Sequence, residues 1–371
     1  MNNTLCSAAF SHLYSTNEDQ YRLCCFQGKS GTLPYRPSEV PPFKHFDSPE
    51  MNQIRSDMLV GKHINGCEVC YDLEANDLHS YRQKHFRSTL DQFTNKVDLK
   101  LRMFGSICNL SCYMCYPYNS SKKRGELSKM SDADNIFVGH EDEIDLGTVA
   151  YQQAVDDIVA NIDRVKSIRF VGGEPFLMPR HWDFVFALPK NSRKKIHLKY
   201  NTNLTKTSFK NYNLEDIIAE YPKLTLTVSA DHYGEKHKWI RYPIDVDQFE
   251  DNLVKYKKHI MCITLCVSLL NAEDIIDITN YYKRNFGIEV VVLGGVREDP
   301  LHLAARQLDP QLKAKLIAEY QKYGNQFIGA INALSFEADE SLREKTARYF
   351  RALDKMRGTD VNRIFGKKLY D

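Results

Sequence analysis

No run of 18 apolar residues occurs in the 371-residue chain, so nothing in it reads as a membrane-spanning helix. Nor is there an excess of one charge. The 50 basic and 48 acidic residues leave +2, which removes any global electrostatic case for nucleic acid or an acidic membrane surface. The opening Met1-Asn-Asn-Thr-Leu-Cys lacks a basic segment followed by an apolar one, so no secretory leader is expected. No internal repeat or low-complexity tail is seen, and none of the 12 histidines stands in a metal-binding or triad spacing.

Cysteine is what the chain does have. Ten cysteines without a leader read as metal ligands or core residues in a reducing cytoplasm, not as disulfides. The densest stretch is Cys108–Asn109–Leu110–Ser111–Cys112–Tyr113–Met114–Cys115, a C-x3-C-x2-C loop. It follows a period-2 run in which Val97, Leu99, Leu101 and Met103 alternate with Asp98, Lys100 and Arg102, the pattern of a strand. Three thiolates in one loop can hold three corners of a [4Fe–4S] cubane, which normally takes four cysteines. One iron is then left for another ligand, as catalytic metal sites keep a position open. A structural zinc loop is the plainer alternative, although zinc sites usually pair C-x2-C elements. Upstream, Cys67 and Cys70 form such a pair, and Cys6 with Cys24 or Cys25 can complete a second set of four. Zinc and a second iron–sulfur cluster suit that set equally, and spacing does not separate them. Unrelated buried cysteines are the third possibility.

From residue 96 to 300 strand-like and helix-like patterns alternate. Strands are expected at Val97–Met103, Ser167–Val171, Ile196–Tyr200, Leu224–Val228, Cys262–Leu269 and Glu289–Leu293. Helices are expected near Leu146–Ile162, Trp182–Leu188, Leu214–Glu220, Val246–Lys258 and Ala272–Phe286. Six strands alternating with helices predict a parallel α/β sheet, whose working groups sit at the carboxyl ends of strands. The cysteine loop and the turn Gly172–Gly173–Glu174–Pro175 both fall at such an end. Before the alternation, Pro34, Pro37, Pro41 and Pro42 suit an extended connector, and Met51–Leu59 suits a short helix. The polar stretch Asn119–Asp145 reads as a surface insertion. Within it, Lys122–Lys123–Arg124 is a solvated basic loop or a steering patch for an anionic substrate. Charged helices at Pro310–Lys322 and Asp339–Arg357 are expected to cover an edge or meet a partner.

With the cysteine loop and the Gly-Gly-Glu-Pro turn both in place, the sequence resembles the radical S-adenosylmethionine (SAM) superfamily. The turn resembles that superfamily's motif for the methionyl amino group, and the likeness covers about residues 5–300. Its N-terminal cysteines resemble a twitch module, the shorter relative of SPASM auxiliary-cluster domains, here standing before the barrel. The resemblance implies a partial (β/α)6 TIM-like barrel at residues 96–300, an auxiliary-cluster module at 1–95 and a C-terminal helical extension at 301–371. It implies Cys108, Cys112 and Cys115 as ligands of the SAM cluster, and Cys6, Cys24 (or Cys25), Cys67 and Cys70 as ligands of a second [4Fe–4S] cluster. Gly172, Gly173 and Glu174 match the amino-group motif. Asn201, Asn203, Ser229 and Asp231 match strand-end positions for the cofactor's ribose and carboxylate, with Arg241 a candidate carboxylate partner. The one departure is Met114, where an aromatic residue commonly precedes the third cysteine; a thioether can still pack on adenine.

By the same resemblance, one electron cleaves SAM to methionine and a 5′-deoxyadenosyl radical that takes a hydrogen from the substrate. Cys262 and Cys266, four apart on one strand and so on one face, are candidate hydrogen-atom donors, or simply small core residues. The implied partners are an electron donor such as flavodoxin or ferredoxin and a peptide or small-molecule substrate. A zinc-stabilised binding protein without catalysis is the competing class.

Overall fold

The computed structural model describes residues 4–16, 18–28, 31, 33–75, 80–86, 95–140, 145–293 and 300–370. Met1–Asn3 of the opening segment, Asn17 and residues 141–144 of the polar stretch lie outside the described residues. The chain forms two compact units, each assembled from separate stretches of sequence.

The first unit comprises Met1–Gly105, Glu143–Tyr200 and Ser208–Leu224. Its strands are β1 (His12–Ser15), β2 (Tyr21–Arg22), β3 (Val97–Leu101), β4 (Val165–Phe170) and β5 (His197–Thr202, whose last two residues belong to the second unit). They lie in the order β5-β4-β3-β1-β2, parallel throughout except for the β1–β2 hairpin. Leu99, Leu101, Ile168, Phe170, Leu198 and Tyr200 are buried on one face. They pack with Phe104, Tyr151, His181 and Phe184, several of them from the helices α1 (Thr148–Ala160) and α2 (Pro179–Ala187). Fully burying side chains of this size stabilises by about 1.5–3 kcal/mol each.

The second unit comprises Ser106–Asp142, Asn201–Thr207 and Thr225–Asp371. Its strands β6 (Leu224–Ser229), β7 (Ile260–Cys266) and β8 (Val290–Leu293) run parallel in the order β8-β7-β6. The crossover helices are α3 (Val246–Tyr256), capped by the Asp245 side chain, and α4 (Ile275–Phe286), closed by Gly287 in the left-handed conformation. The fold is therefore α/β with mostly parallel strands, the class expected for a partial (β/α)6 barrel, and all six expected strands are present. Among the described residues no helix is long and apolar enough to cross a membrane.

Three expectations are corrected. The fifth of the expected strands, β7, stops at Cys266, not Leu269, because the Ser268 amide donates to Asn271 Oδ1 (2.8 Å) and turns the chain. The proline stretch is not wholly extended. Pro42 starts a short helix, Pro42–Phe46, at the position where a missing N–H costs nothing. The polar stretch from Asn119 is no surface insertion: Ser120, Lys123, Leu127, Asn135 and Phe137 are all buried. Ser120 explains part of this, since its side chain caps the helix Ser121–Leu127 and its hydroxyl donates to the Leu110 carbonyl (2.7 Å).

Candidate functional site

The cysteine loop belongs to the second unit, where a dense set of backbone and side-chain contacts fixes it. The amides of Ser111 and Tyr113 donate to the carbonyls of Tyr242 (2.6 Å) and Ile240 (2.9 Å). Leu110, Ser111 and Tyr113 are buried while Cys108, Cys112 and Cys115 stay half-buried. Apolar spacers thus turn inward, and the thiols remain reachable.

Hydrogen-bond donors are aimed at two of the three sulfurs. Leu110 N–H approaches Cys108 Sγ at 3.5 Å, and Asn203 Nδ2 approaches it at 3.9 Å. Asn203 Nδ2 also donates to Asn109 Oδ1 (3.1 Å), and its Oδ1 accepts from the Thr205 amide and hydroxyl. Arg241 Nη1 lies 3.8 Å from Cys112 Sγ. Donors of this kind suit anionic, metal-bearing thiolates and tune the potential of an iron–sulfur cluster. The donor set therefore fits a cluster held by three cysteines.

Arg241 is itself held. Its Nε and Nη2 donate to Asp231 Oδ2 at 2.8 and 2.7 Å, and Asp231 is fully buried. Burial disfavours the guanidinium charge, but Asp231 and Cys112 beside it outweigh that and raise its pKa. Asp231 Oδ1 accepts from the Cys266 amide (2.9 Å), and its backbone carbonyl accepts from Asn271 Nδ2 (3.0 Å). Burial, then the Asp231 carboxylate, pushes the Cys266 thiol up to about 12. Among the residues expected from sequence, Cys108, Asn203, Cys112, Arg241, Asp231 and Cys266 thus form a connected neighbourhood. Cys262 is not in it. It lies four residues back along β7, roughly 13 Å at strand rise, and faces Thr227 in register. Ser229 ends β6 opposite Thr264, and Asn201 is half-buried near the end of β5.

A second layer was not legible in the sequence. Arg357, on α5 (Arg343–Arg357), donates to the Ser111 carbonyl (2.7 Å) and to both carboxylate oxygens of Glu126 (2.7 and 2.9 Å). Glu126 also accepts from the Ser111 hydroxyl (2.6 Å) and from Lys123 Nζ (3.1 Å). Lys123 donates to Tyr349 Oη (2.7 Å), whose hydroxyl donates to the Tyr113 carbonyl (2.5 Å). Lys123 is therefore a fully buried brace of the loop, which corrects its reading as solvated or steering. Arg124 likewise turns to the Pro117 carbonyl (3.1 Å). Around these groups Tyr113, Phe137, Trp239, Phe350 and Phe365 form an apolar core, with Met114 packed on it.

In the first unit, Gly172 has φ +127°, and a Cβ there would meet the Gly105 carbonyl at 3.4 Å. Glu174 is buried and caps the short helical turn Pro175–Leu177. The same unit holds a cavity lined by Cys6, Cys24, Cys67 and Cys70 together with Gln27, Tyr71 and Arg82. Cys25, by contrast, is exposed and lies within electrostatic reach of Tyr81 and Lys100. Phe26 N–H approaches Cys24 Sγ at 3.4 Å. Burial raises the Cys24 thiol, and pushes Cys6 up to about 11 and Cys67 up to about 12. Among the described residues no three such groups converge tightly enough to grip a single metal ion.

The three cysteines and the donors aimed at them are brought together within the second unit. Consistent with this, the sequence profile described as the Radical SAM superfamily matches residues 103–282. Residues 103–282 of this chain are thus similar to the Radical SAM superfamily. Solved structures similar to it include anSMEcpe with bound AdoMet, at 18% identity over 65% of this chain and 64% of that one, TM-score 0.41. Streptococcus suis SuiB bound to S-adenosylmethionine is similar at 13% identity over 75% of this chain and 61% of that one, TM-score 0.41. The chain spans less than two thirds of either of those proteins. No curated protein matches the chain in sequence.

Proposed function

We propose that the chain is a radical SAM enzyme in which Cys108, Cys112 and Cys115 hold a [4Fe–4S] cluster. In this reading Gly172, Gly173, Glu174, Asn201, Ser229 and Arg241 take SAM. When bound, cluster and SAM together supply one-electron cleavage of the sulfonium and hydrogen abstraction from a substrate. The observation that carries the reading is the pair of donors, Asn203 and Arg241, aimed at the sulfurs of Cys108 and Cys112. Both carboxylate oxygens of Asp231 are engaged inside the protein, so its role is to aim Arg241 and pin Cys266. Cys266 is the better placed of the two candidate hydrogen donors. Asn203 and the Arg357–Glu126 pair keep the loop in shape.

The four cysteines of the N-terminal cavity hold an auxiliary [4Fe–4S] cluster in a twitch-like module at residues 1–95. That cluster relays electrons or braces the segment. The core spans 96–300 and the helical extension 301–371. A flavodoxin or ferredoxin supplies the electron, in the cytoplasm. The twitch resemblance favours a peptide or protein substrate.

The test is anaerobic reconstitution followed by reduction in the presence of SAM. Brown protein and 5′-deoxyadenosine are expected, and Cys112→Ala should make neither the intact cluster signal nor the nucleoside. Colourless protein with about two zinc ions per chain and no SAM binding would instead establish the non-catalytic zinc protein.

A further inference from the structure

A bulky residue rarely takes the left-handed backbone conformation, because its Cβ crowds the following carbonyl. Among the described residues three that are not glycine do so: Asp19, Leu204 and Lys210, at φ +53°, +54° and +53°. Aspartate tolerates the conformation through local hydrogen bonds of its side chain, and Lys210 is exposed at the tip of a short hairpin. Leu204 has neither excuse. It is apolar and fully buried, and it lies in the second unit two residues past the end of β5.

Side chains hold both backbone polar groups of this residue. Its N–H donates to Thr202 Oγ1 (2.9 Å), and its carbonyl accepts from Asn252 Nδ2 (2.8 Å). Asn252 stands inside α3, although asparagine is a poor helix former that favours caps and turns. Its amide leaves the helix to fasten a turn 48 residues earlier. The turn so fixed brings Thr205 back to Asn203, whose Oδ1 accepts from the Thr205 amide (3.0 Å) and hydroxyl (2.7 Å). Asn109 Nδ2 donates to Thr205 Oγ1 (2.8 Å), and Asn203 Nδ2 donates to Asn109 Oδ1 (3.1 Å), so three side chains close a ring. With two donors on its oxygen, the Asn203 amide has one orientation, and Nδ2 faces Cys108 Sγ at 3.9 Å.

We infer that Leu204 and Asn252 are positioning residues that set the reduction potential of the loop cluster, by aiming the Asn203 amide at the Cys108 sulfur; this rests on the reading of Cys108 as a cluster ligand. Strained backbone persists only where its surroundings over-determine it, and such strain gathers at functional sites. Here the surroundings are Thr202 and Asn252, one on each side of the Leu204 residue, and the function is the aim of one amide. An N–H donor on a cluster sulfur stabilises the extra negative charge of the reduced state, so losing it lowers the potential. Without the Asn252 clamp the turn relaxes out of the left-handed region, the Thr205 amide swings off Asn203 Oδ1, and Nδ2 loses its fixed direction.

The experiment is a redox titration of the full-length, anaerobically reconstituted protein without SAM, followed by electron paramagnetic resonance. The signal of the loop cluster is the one that Cys112→Ala removes. Asn203→Ala should lower its reduction equilibrium constant about tenfold, which is ~59 mV for one electron. Asn252→Ala, a change to a better helix former, should lower it at least threefold in the same direction. Two changes at Leu204 separate aim from stability. Leu204→Gly keeps the left-handed turn at no steric cost, so its potential should stay within twofold of wild type while its urea midpoint falls with the lost buried side chain. Leu204→Val keeps most of the apolar bulk but is β-branched and leaves that region, so its potential should fall as in Asn252→Ala. An unmoved potential in both Asn252→Ala and Leu204→Val would overturn the inference. So would a potential that simply tracks stability, with Leu204→Gly falling as far as Leu204→Val. A wild type that takes up no cluster would overturn this inference and the cluster reading together, whereas a cluster with an unmoved potential overturns this one alone.

Discussion

Arg241 occupies a position where one guanidinium meets two chemically different anions, the Asp231 carboxylate and the Cys112 sulfur. Only a planar fork does this with fixed geometry, since a lysine offers a single point charge. Removing Asp231's charge with Asp231→Asn leaves Arg241 buried without its counter-ion. Breaking such a pair from one side costs about 3–5 kcal/mol, which a shift in the urea midpoint will report. A loss of under about 1 kcal/mol would mean that Arg241 finds solvent and does not depend on the carboxylate. At the other motif, Gly172→Ala places a Cβ at φ +127° against the Gly105 carbonyl. Backbone strain of that kind costs about 1–3 kcal/mol, and the same denaturation measurement checks it. Both motifs were visible as residues in the sequence. The hydrogen bonds from Asn203 and Arg241 to the sulfurs were not, because they join positions 95 and 129 residues away in the chain.

The helix Ser121–Leu127 and α5 show how charged elements mislead a reading by pattern. Lys-Lys-Arg followed by Gly-Glu resembles a solvated turn, yet Lys123 and Glu126 face inward and meet Arg357 and Tyr349. Nothing in local periodicity signals that, since the partners lie more than 220 residues further on. The arrangement has a pH signature. Burial opposes the Glu126 charge, but hydrogen bonds from Arg357 and the Lys123 and Arg357 charges outweigh it and lower the pKa to about 2. Unfolded, the same carboxyl titrates near 4.3, so the native state binds fewer protons between those values. Its stabilisation is complete above about 4.3 and is lost as pH falls toward about 2, on the order of 3 kcal/mol in all. Lys123 acts in another window. Burial lowers it to about 8, so its charging penalty is full below that pH and is relieved as pH rises toward about 10.4. Urea midpoints of wild type and Glu126→Gln, compared from pH 5 downward, should converge as the wild type loses this contribution. Parallel curves would show that Glu126 is not held ionised. By contrast, strand and helix positions from Thr148 to Leu293 were legible within a few residues, because there burial follows the 2.0 and 3.6 periods.

Over the whole molecule, seven of the ten cysteines fall into two groups that the fold keeps in different settings. One is a half-buried loop braced by charged groups; the other is a cavity in the N-terminal segment. Chain order made the first set readable, since its three cysteines span eight residues and follow a strand. It left the second set open, because Cys6, Cys24, Cys67 and Cys70 come to line one cavity only once distant parts of the N-terminal segment are packed together. The strands β1 and β2, four and two residues long, carry too few positions to show an alternation, so they went unseen. The two settings should separate in composition. Two four-iron clusters give about eight irons per chain. Cys67→Ser/Cys70→Ser removes half the ligands of the cavity set and should lower that to about four. The loop cluster should remain, with its reductive cleavage of SAM to 5′-deoxyadenosine measurable in the same preparation. Iron analysis with Mössbauer spectra of wild type and the double variant makes the comparison. Four irons in both proteins would assign the cavity thiols to the core, and zinc retained only by the wild type would make the cavity a structural zinc site. In either case the loop cluster alone would account for the chemistry.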